Sequence, residues 1–236
     1  MSDFLKECLE KINIVPTQTQ VEQLYEFHRL LCEWNSFMNL TGITEYDEVV
    51  IKHYVDSLAV NCVYQFKESD SVVDIGTGAG FPGLPLKIIY PETSFTLIDS
   101  LNKRINFLNE VIKTNNLTKI ETLHGRAEDY AKDKKYRETF DVCVSRAVAN
   151  LSTLSEYCLP YVKIGGVFIS YKAGNIEEEL TNSKNAIKIL GGEIVEVKNF
   201  TLPDTDIERT FVVIQKKYAT KMKYPRKAGQ PSKEPL

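Results

Sequence analysis

The stretch Val72-Val-Asp-Ile-Gly-Thr-Gly-Ala-Gly-Phe-Pro-Gly83 decides the fold. A short apolar run with the pattern of a buried strand ends in glycines at 76, 78, 80 and 83. Pro82 and Pro85 then lead into a helical segment, Leu84–Ile89. Glycine reaches backbone conformations closed to other residues and puts no side chain in the way of a ligand. Proline suits the first turn of a helix, where its missing N–H is not needed. A plain strand-to-helix connection does not require glycine at that density, so the turn reads as a ligand cradle.

The same alternation continues outward. Strands are expected at Ser71–Ile75, Ser94–Asp99, Lys119–His124, Phe140–Ser145 and Gly166–Lys172, with amphipathic helices at Asn102–Asn115, Leu151–Val162 and Ile176–Leu190. Strands alternating with helices imply an α/β fold whose parallel sheet is covered on both faces. Glu193–Leu202 and Arg209–Lys217 have no helix between them and are expected to form an antiparallel hairpin at the sheet edge. Upstream, the first seventy residues read as helices. Thr19-Gln-Val-Glu22 has capping-box spacing, and Val21, Leu24, Tyr25, His28, Leu31 and Cys32 follow as one apolar face. A second helix is expected over Tyr46–Cys62, with Val50, His53, Tyr54, Leu58 and Cys62 on one side. A histidine on such a stripe, as His28 and His53 are, is ordinarily packed and hydrogen-bonded. The resulting division is a helical extension (1–66), an α/β domain (67–217) and a basic tail (218–236).

With 43% hydrophobic and 26% charged residues, the 236-residue chain has the balance of a soluble globular protein. Five scattered cysteines without a C-x-x-C pair argue against a disulfide framework or a cysteine-rich zinc site, and fit a reducing compartment. No apolar run approaches a membrane span and the amino terminus lacks a signal-peptide core, so a cytosolic, non-membrane protein is expected. The net charge of −3 hides an asymmetry. Lys216 to Leu236 carry seven basic residues against one acid, which leaves 22 basic and 31 acidic residues before them, a body of −9 and an end of +6. That polarity suggests a polyanionic partner met at one place, against the plainer reading of a solubilising end.

Two ligands suit the glycine turn. Gly78-Ala-Gly80-Phe-Pro-Gly83 fits G-x-G-x-x-G, with Asp99 following Gly78 by 21 positions, as a dinucleotide fingerprint requires. The stretch also reads as D-x-G-x-G-x-G from Asp74, the nucleotide-binding motif of the class I S-adenosylmethionine methyltransferases. An acid at the start of the turn would repel a pyrophosphate but suits a ligand carrying a sulfonium and an ammonium. After Asp99 the remaining strands and helices of the sheet leave little room for a second catalytic domain, which also favours the methyl donor. A Rossmann-like methyltransferase sheet with an antiparallel terminal hairpin is the expected fold, and a nucleotide-dependent oxidoreductase stays as the alternative.

The other strand ends then acquire roles. Asp99 is placed to hold two ribose hydroxyls, a role compatible with capping the helix that follows. Ala127 and the backbone of Glu128 follow the third strand, where an adenine edge would lie; the plain reading is a helix cap. Arg146 ends the fourth strand, the position that faces the transferred methyl. Arginine is unsuited to removing a proton, but it contacts guanine N7 and O6 bidentately, and N7 has no proton to lose. Its plain reading is a structural ion pair with an acid of the body.

Trp34-Asn35…Asn39-Leu-Thr41, Lys52-His53-Tyr-x-Asp56-Ser57, the glycine turn, Asp99-Ser-x-x-Lys103-Arg104, Arg126-Ala-Glu128, Ser145-Arg-Ala147 and Tyr224-Pro-Arg-Lys-x-Gly-x-Pro-x-Lys-x-Pro235 together resemble the glucose-inhibited division protein B family. The resemblance implies a bacterial methyltransferase that uses S-adenosylmethionine to form N7-methylguanosine in 16S ribosomal RNA, at guanine 527 of the 530 loop, with the RNA or the small ribosomal subunit as partner. A monomer is expected, though the sequence itself does not show the oligomeric state. A ribosome-binding protein without turnover is the other reading. The donor-binding positions implied are Asp74, Gly76, Gly78, Phe81, Asp99, Ala127, Glu128 and Arg146, the last also catalytic, with Phe81 beside the methionine or adenosine. Candidate RNA contacts are Lys52, His53, Lys103, Arg104, Lys223, Arg226 and Lys227. Trp34, Asn35, Asn39 and Thr41 fall between two helices, as an RNA contact or an asparagine-rich cap. With Pro225, Pro231 and Pro235 among its lysines, the tail is expected to be extended and unordered until RNA binds, and donor binding is expected not to depend on it.

Overall fold

The structure, a computed structural model, describes residues 2–174 and 176–236. Its strands are β1 (Ser71–Ile75), β2 (Ser94–Asp99), β3 (Ile120–His124), β4 (Phe140–Arg146), β5 (Val162–Ala173), β6 (Gly192–Thr201) and β7 (Glu208–Lys216). They form one sheet in the order β3-β2-β1-β4-β5-β7-β6. β1 to β5 run parallel, and β7 lies antiparallel between β5 and β6, so the expected hairpin is present. From β1 the chain moves outward to β3, then returns to β4 on the other side. The carboxyl ends of β1 and β4 therefore flank the crevice where open α/β sheets bind ligands.

Alternate strand residues serve two cores. Val72, Phe95, Leu97, Val142, Val144, Ile169, Tyr171, Phe211 and Val213 face one core; Val73, Ile75, Ile98, Cys143, Phe168, Val212 and Ile214 face the other. That two-residue period, with both faces apolar, is the reason the sheet is covered twice. The first face is covered by α1 (Ser2–Glu10), α2 (Gln18–Met38), the helical stretch 46–62, α5 (Gly83–Ile89) and α6 (Asn102–Thr114). The second carries α7 (Ala127–Tyr130), α8 (Leu151–Cys158) and α9 (Glu177–Ile189). The amino-terminal helices thus share a continuous core with the sheet.

Several expectations need correction. The capping box is made by Thr17 and Gln20, not Thr19 and Glu22: the Gln20 amide donates to Thr17 Oγ1 and the Thr17 amide to Gln20 Oε1. Gln20 also donates to the carbonyls of Ile88 and Ile89, so tertiary bonds favour the earlier start. The buried stripe of α2 runs through Val21, Leu24, Phe27, Leu30 and Leu31, while Tyr25 is exposed. The stretch 46–62 is not one regular helix. It comprises α3 (Tyr46–Val49), a π-helical turn (Val50–Val55), α4 (Asp56–Leu58) and a 3-10 turn (Ala59–Cys62). The wide and then tight turns shift the phase of the apolar stripe, and Cys62 ends up exposed.

The basic end is docked rather than unordered. Lys216 closes β7 fully buried, with its ammonium donating to the Leu159 carbonyl at 2.6 Å and paired with Glu138 at 3.0 Å; burial lowers its pKa to about 8. Arg137 donates to the carbonyls of Thr220 and Tyr224, and Tyr224 joins the second core. Arg226 forms a forked ion pair with Glu156 of α8, whose side chain is 1% exposed. The chain then makes α10 (Gln230–Lys233) and lies along α8, where Thr153 donates to the Pro231 carbonyl and Ser152 to that of Leu236. Proline and lysine content conceals this, because the anchor is a buried acid seventy residues away. Removing one partner of a buried pair leaves the other uncompensated. Arg226→Ala is expected to lower unfolding stability by about 3 kcal/mol, read as a lower urea midpoint; an unchanged midpoint would mean that water reaches Glu156.

Candidate active site

The carboxyl ends of β1, β2 and β4 and the loop after β3 surround a cavity of about 300 Å³, lined by Gly76, Asp99, Arg104, Ala127, Glu128 and Val148 among others. The glycine turn forms one wall. Gly76, Gly78 and Gly80 all have left-handed backbones, at φ 70°, 62° and 94°. At Gly78 a β-carbon would meet nothing nearer than the Gly76 carbonyl at 4.0 Å, so open space lies where a ligand would rest. A β-carbon on Gly76 would come within 2.6 Å of Val148, the residue from the loop after β4 that overlies the turn.

Asp74 does not reach the cavity wall but braces the turn from beneath. It is fully buried, and its Oδ2 accepts from Thr77 Oγ1 at 2.7 Å and from the Gly83 amide at 2.9 Å. Oδ1 has no hydrogen-bond partner among the described residues. Burial raises its pKa to about 7, opposed by these two bonds and by Arg146. Asp99 lines the cavity but is largely engaged: Oδ2 accepts from the Gly78 amide at 2.9 Å and Arg104 at 3.2 Å, Oδ1 from the Leu101 amide at 2.9 Å. A carboxylate offers about four acceptor sites, so one remains free. Two ribose hydroxyls fit if the ligand displaces Arg104, the longest of the three bonds. Arg104 therefore belongs to the cavity wall. The Leu101 bond is not the capping role read from sequence: Leu101 is itself the N-cap of α6, and no side chain caps that helix.

Ala127 and Glu128 lie on the opposite wall, where Tyr161 donates to the Ala127 carbonyl at 2.6 Å. Glu128 Oε1 accepts from the amide of Gly229, a residue of the tail. Arg146 is 2.8 Å from Asp56 Oδ2, which is the ion pair of its plain reading, and its guanidinium lies 5.2 Å from the Phe81 ring centroid. Asp56 also accepts from Arg209 through Oδ1 at 2.9 Å. Neither Arg146 nor Phe81 is among the residues that line the cavity. Phe81 is 5% exposed in the first core, stacked on Phe27 at 5.1 Å and on His53 at 4.3 Å.

His53 is packed and bonded. Nε2 is 3.0 Å from Thr41 Oγ1, and Nδ1 is 3.1 Å from the Lys52 carbonyl and 3.3 Å from Arg146. Burial, then the charge of Arg146, depress its pKa to about 4. Lys52 pairs with Glu48 one turn away. Lys103 is exposed and donates to the Met38 carbonyl at the end of α2. Lys223 and Lys227 are exposed, whereas Arg226 is taken by Glu156. Trp34 and Asn35 lie in the last turns of α2 rather than between helices. Asn35 Oδ1 accepts from the amides of Leu40 and Thr41, and Asn39 is the left-handed C-cap, which is the cap reading. Among the described residues no cluster of His, Cys, Asp or Glu is arranged to hold a metal ion.

Sequence reasoning gives no role to Asp56, Arg209, Val148 or Tyr157, which also lines the cavity. Asp56 stands in a quoted motif without an assignment; Arg209 has no local signal, since its partner is 153 positions away.

A switch-point crevice, an open glycine turn and a buried acid beneath it with one unpartnered oxygen fit S-adenosylmethionine, and the sheet is that of a class I methyltransferase that uses it. The fold recurs in TYW2 of M. jannaschii, solved in complex with AdoMet (TM-score 0.51, 16% identity, 64% of this chain and 70% of that one). It recurs also in the YcgJ protein of Bacillus subtilis (TM-score 0.55, 11% identity, 71% and 100%). A family model described as rRNA small subunit methyltransferase G matches residues 20–209, and the chain belongs to that family. Relatives carrying the name ribosomal RNA small subunit methyltransferase G include those of Lachnoclostridium phytofermentans, 55% identical over 92% of this chain and 90% of the relative, and Alkaliphilus oremlandii, 50% identical over 100% and 99%.

The lowered pKa of His53 has a signed consequence. Between about pH 4 and 6.5 the unfolded chain binds a proton at this position that the folded chain does not, so stability falls as pH falls through that window. Asp74, raised by burial, acts oppositely between 3.8 and about 7 and is common to wild type and a His53 variant. His53→Gln is expected to lose less stability than wild type on acidification from 6.5 to 4, by at most about 3 kcal/mol. Parallel pH–stability curves in urea would count against a buried neutral imidazole.

Proposed function

We propose that this chain transfers the methyl group of S-adenosylmethionine to N7 of a guanine in the 16S ribosomal RNA of the small subunit, with guanine 527 of the 530 loop as the position the sequence resemblance indicates. The observation that carries the reading is the end of β4, which offers an arginine and no available base. Arg146 is held by Asp56, and both ring nitrogens of His53 are engaged in a group neutral at pH 7. Bound S-adenosylmethionine supplies an electrophilic methyl on a sulfonium. Gly78 leaves room for it, Asp99 takes the ribose, and Ala127 with Glu128 flanks the adenine. Arg146, fixed by Asp56, orients the guanine through O6, and catalysis is the alignment of N7 with the methyl. A monomer in the cytoplasm is part of the same proposal; no helix among the described residues is long and apolar enough to cross a membrane.

Methyl transfer to 16S RNA or to small subunits, followed by nucleoside mass spectrometry, tests the reading directly; 7-methylguanosine is expected, and its absence with either substrate would refute it. Arg146→Ala is expected to reduce kcat at least a hundredfold, with little rescue by Arg146→Lys, since an ammonium cannot imitate the planar fork. At saturating RNA, kcat is expected to be flat across neutral pH; an essential base with a pKa near 7 would defeat this mechanism.

The cations exposed on the tail are Lys221, Lys223, Lys227 and Lys233. Changing these four to Gln is expected to flatten the dependence of log K on log salt by roughly 0.7 for each phosphate that no longer meets a lysine. An unchanged slope would move the RNA surface to the body, around Lys52 and Lys103.

A further inference from the structure

Two residues of the cavity wall are hydrogen-bonded to the segment Gly229–Leu236 that ends the chain. Glu128 is 4% exposed, and among the described residues the amide of Gly229 is the donor its carboxylate receives, at 2.9 Å. The Tyr157 hydroxyl is 2.9 Å from Ser232 Oγ. Glu128 and Tyr157 both line the cavity, beside Ala127. The segment is not loosely laid there. Gly229 takes a left-handed backbone at φ 82° and opens α10, Pro231 is buried, and its carbonyl accepts from Thr153 at 3.0 Å. The Arg226–Glu156 pair fixes the chain just before it.

A nearly buried carboxylate needs a donor. If the Gly229 amide is removed, Glu128 loses the donor that fixes its orientation and must turn to solvent, which reaches it from the cavity it lines and from the space the segment leaves. Tyr157, released from Ser232, likewise regains its rotamer freedom at the same wall. We infer that the carboxy-terminal segment Gly229–Leu236 is a positioning element of the donor pocket, holding Glu128 and Tyr157 in place for the adenosine part of S-adenosylmethionine. No residue of the segment lines the cavity, so it acts through those two residues rather than on the ligand. Donor binding then depends on the tail, against the expectation from sequence. The inference rests on the proposed location of the adenosine.

The test compares the full chain with one ending at Ala228, which keeps Arg226 and its buried partner. Calorimetry with S-adenosylmethionine and with adenosine and a thermal melt are measured on each. The shortened chain is expected to bind both ligands at least fivefold more weakly, with its melting midpoint within a few degrees. Equal affinities in a folded shortened chain overturn the inference, as does a lowered melting midpoint with affinities intact, which a merely structural strap would give. If the shortened chain does not fold, Ser232→Ala in the full chain carries the test. At least a twofold loss of adenosine affinity, restored by Ser232→Thr, is expected, and no loss overturns the proposal. Failure of the full chain to bind S-adenosylmethionine would instead sink the functional reading.

Discussion

Asp56 accepts from Arg146 at the end of β4 and from Arg209 at the start of β7, and it sits on the helical stretch that links the amino-terminal block to the sheet. One carboxylate, 3% exposed, thus joins three parts of the chain far apart in sequence. It keeps the Arg146 guanidinium compensated in a poorly solvated place and fixes where it points. Two arginines on one acid leave a surplus of positive charge there, which suits an electron-rich base edge and phosphates nearby. Without the amino-terminal block Arg146 at the end of β4 loses this counter-charge. The helical extension therefore helps to fix that arginine.

Asp74 plays the complementary part under the glycine turn. By accepting from Thr77 and Gly83 it ties the end of β1 to the start of α5, so the turn between them has fixed amides. The turn is held a second time through the Gly78 amide, which donates to Asp99. The same two acids that sequence reading places against the ligand thus accept three bonds from the loop around it, at Thr77, Gly83 and Gly78. Preorganised dipoles need not reorient when the ligand arrives, which is where such sites gain their strength.

How much of this is legible in sequence follows from the range of the interactions. The strands and their directions are readable, because period-two alternation and glycine turns are local signals. The glycine turn, Asp99, the Ala127–Glu128 corner and the ion-paired state of Arg146 are all present there as positions or alternatives. Phe81 is misplaced by sequence because adjacency to the glycines says nothing about which side a ring faces, and Phe27 and His53 draw it into the core. The irregular winding of 46–62 escapes because an apolar stripe read at a constant 3.6-residue period conceals a π turn. The tail misleads for the same reason that Arg209 goes unnoticed: its partner, Glu156, lies in a helix that composition does not connect to it.

The pairing of Glu156 with Arg226 also bears on the order in which the molecule comes into being. A chain grows from its amino terminus, and domains fold as they emerge. All seven strands and α8 precede Arg226, so the sheet can assemble while Glu156 still lacks its cation. Arg226 and Gly229, which neutralise this acid and bond Glu128, are made only after the strands of the sheet. Newly made protein therefore passes through a stage that has its sheet but an unsealed flank.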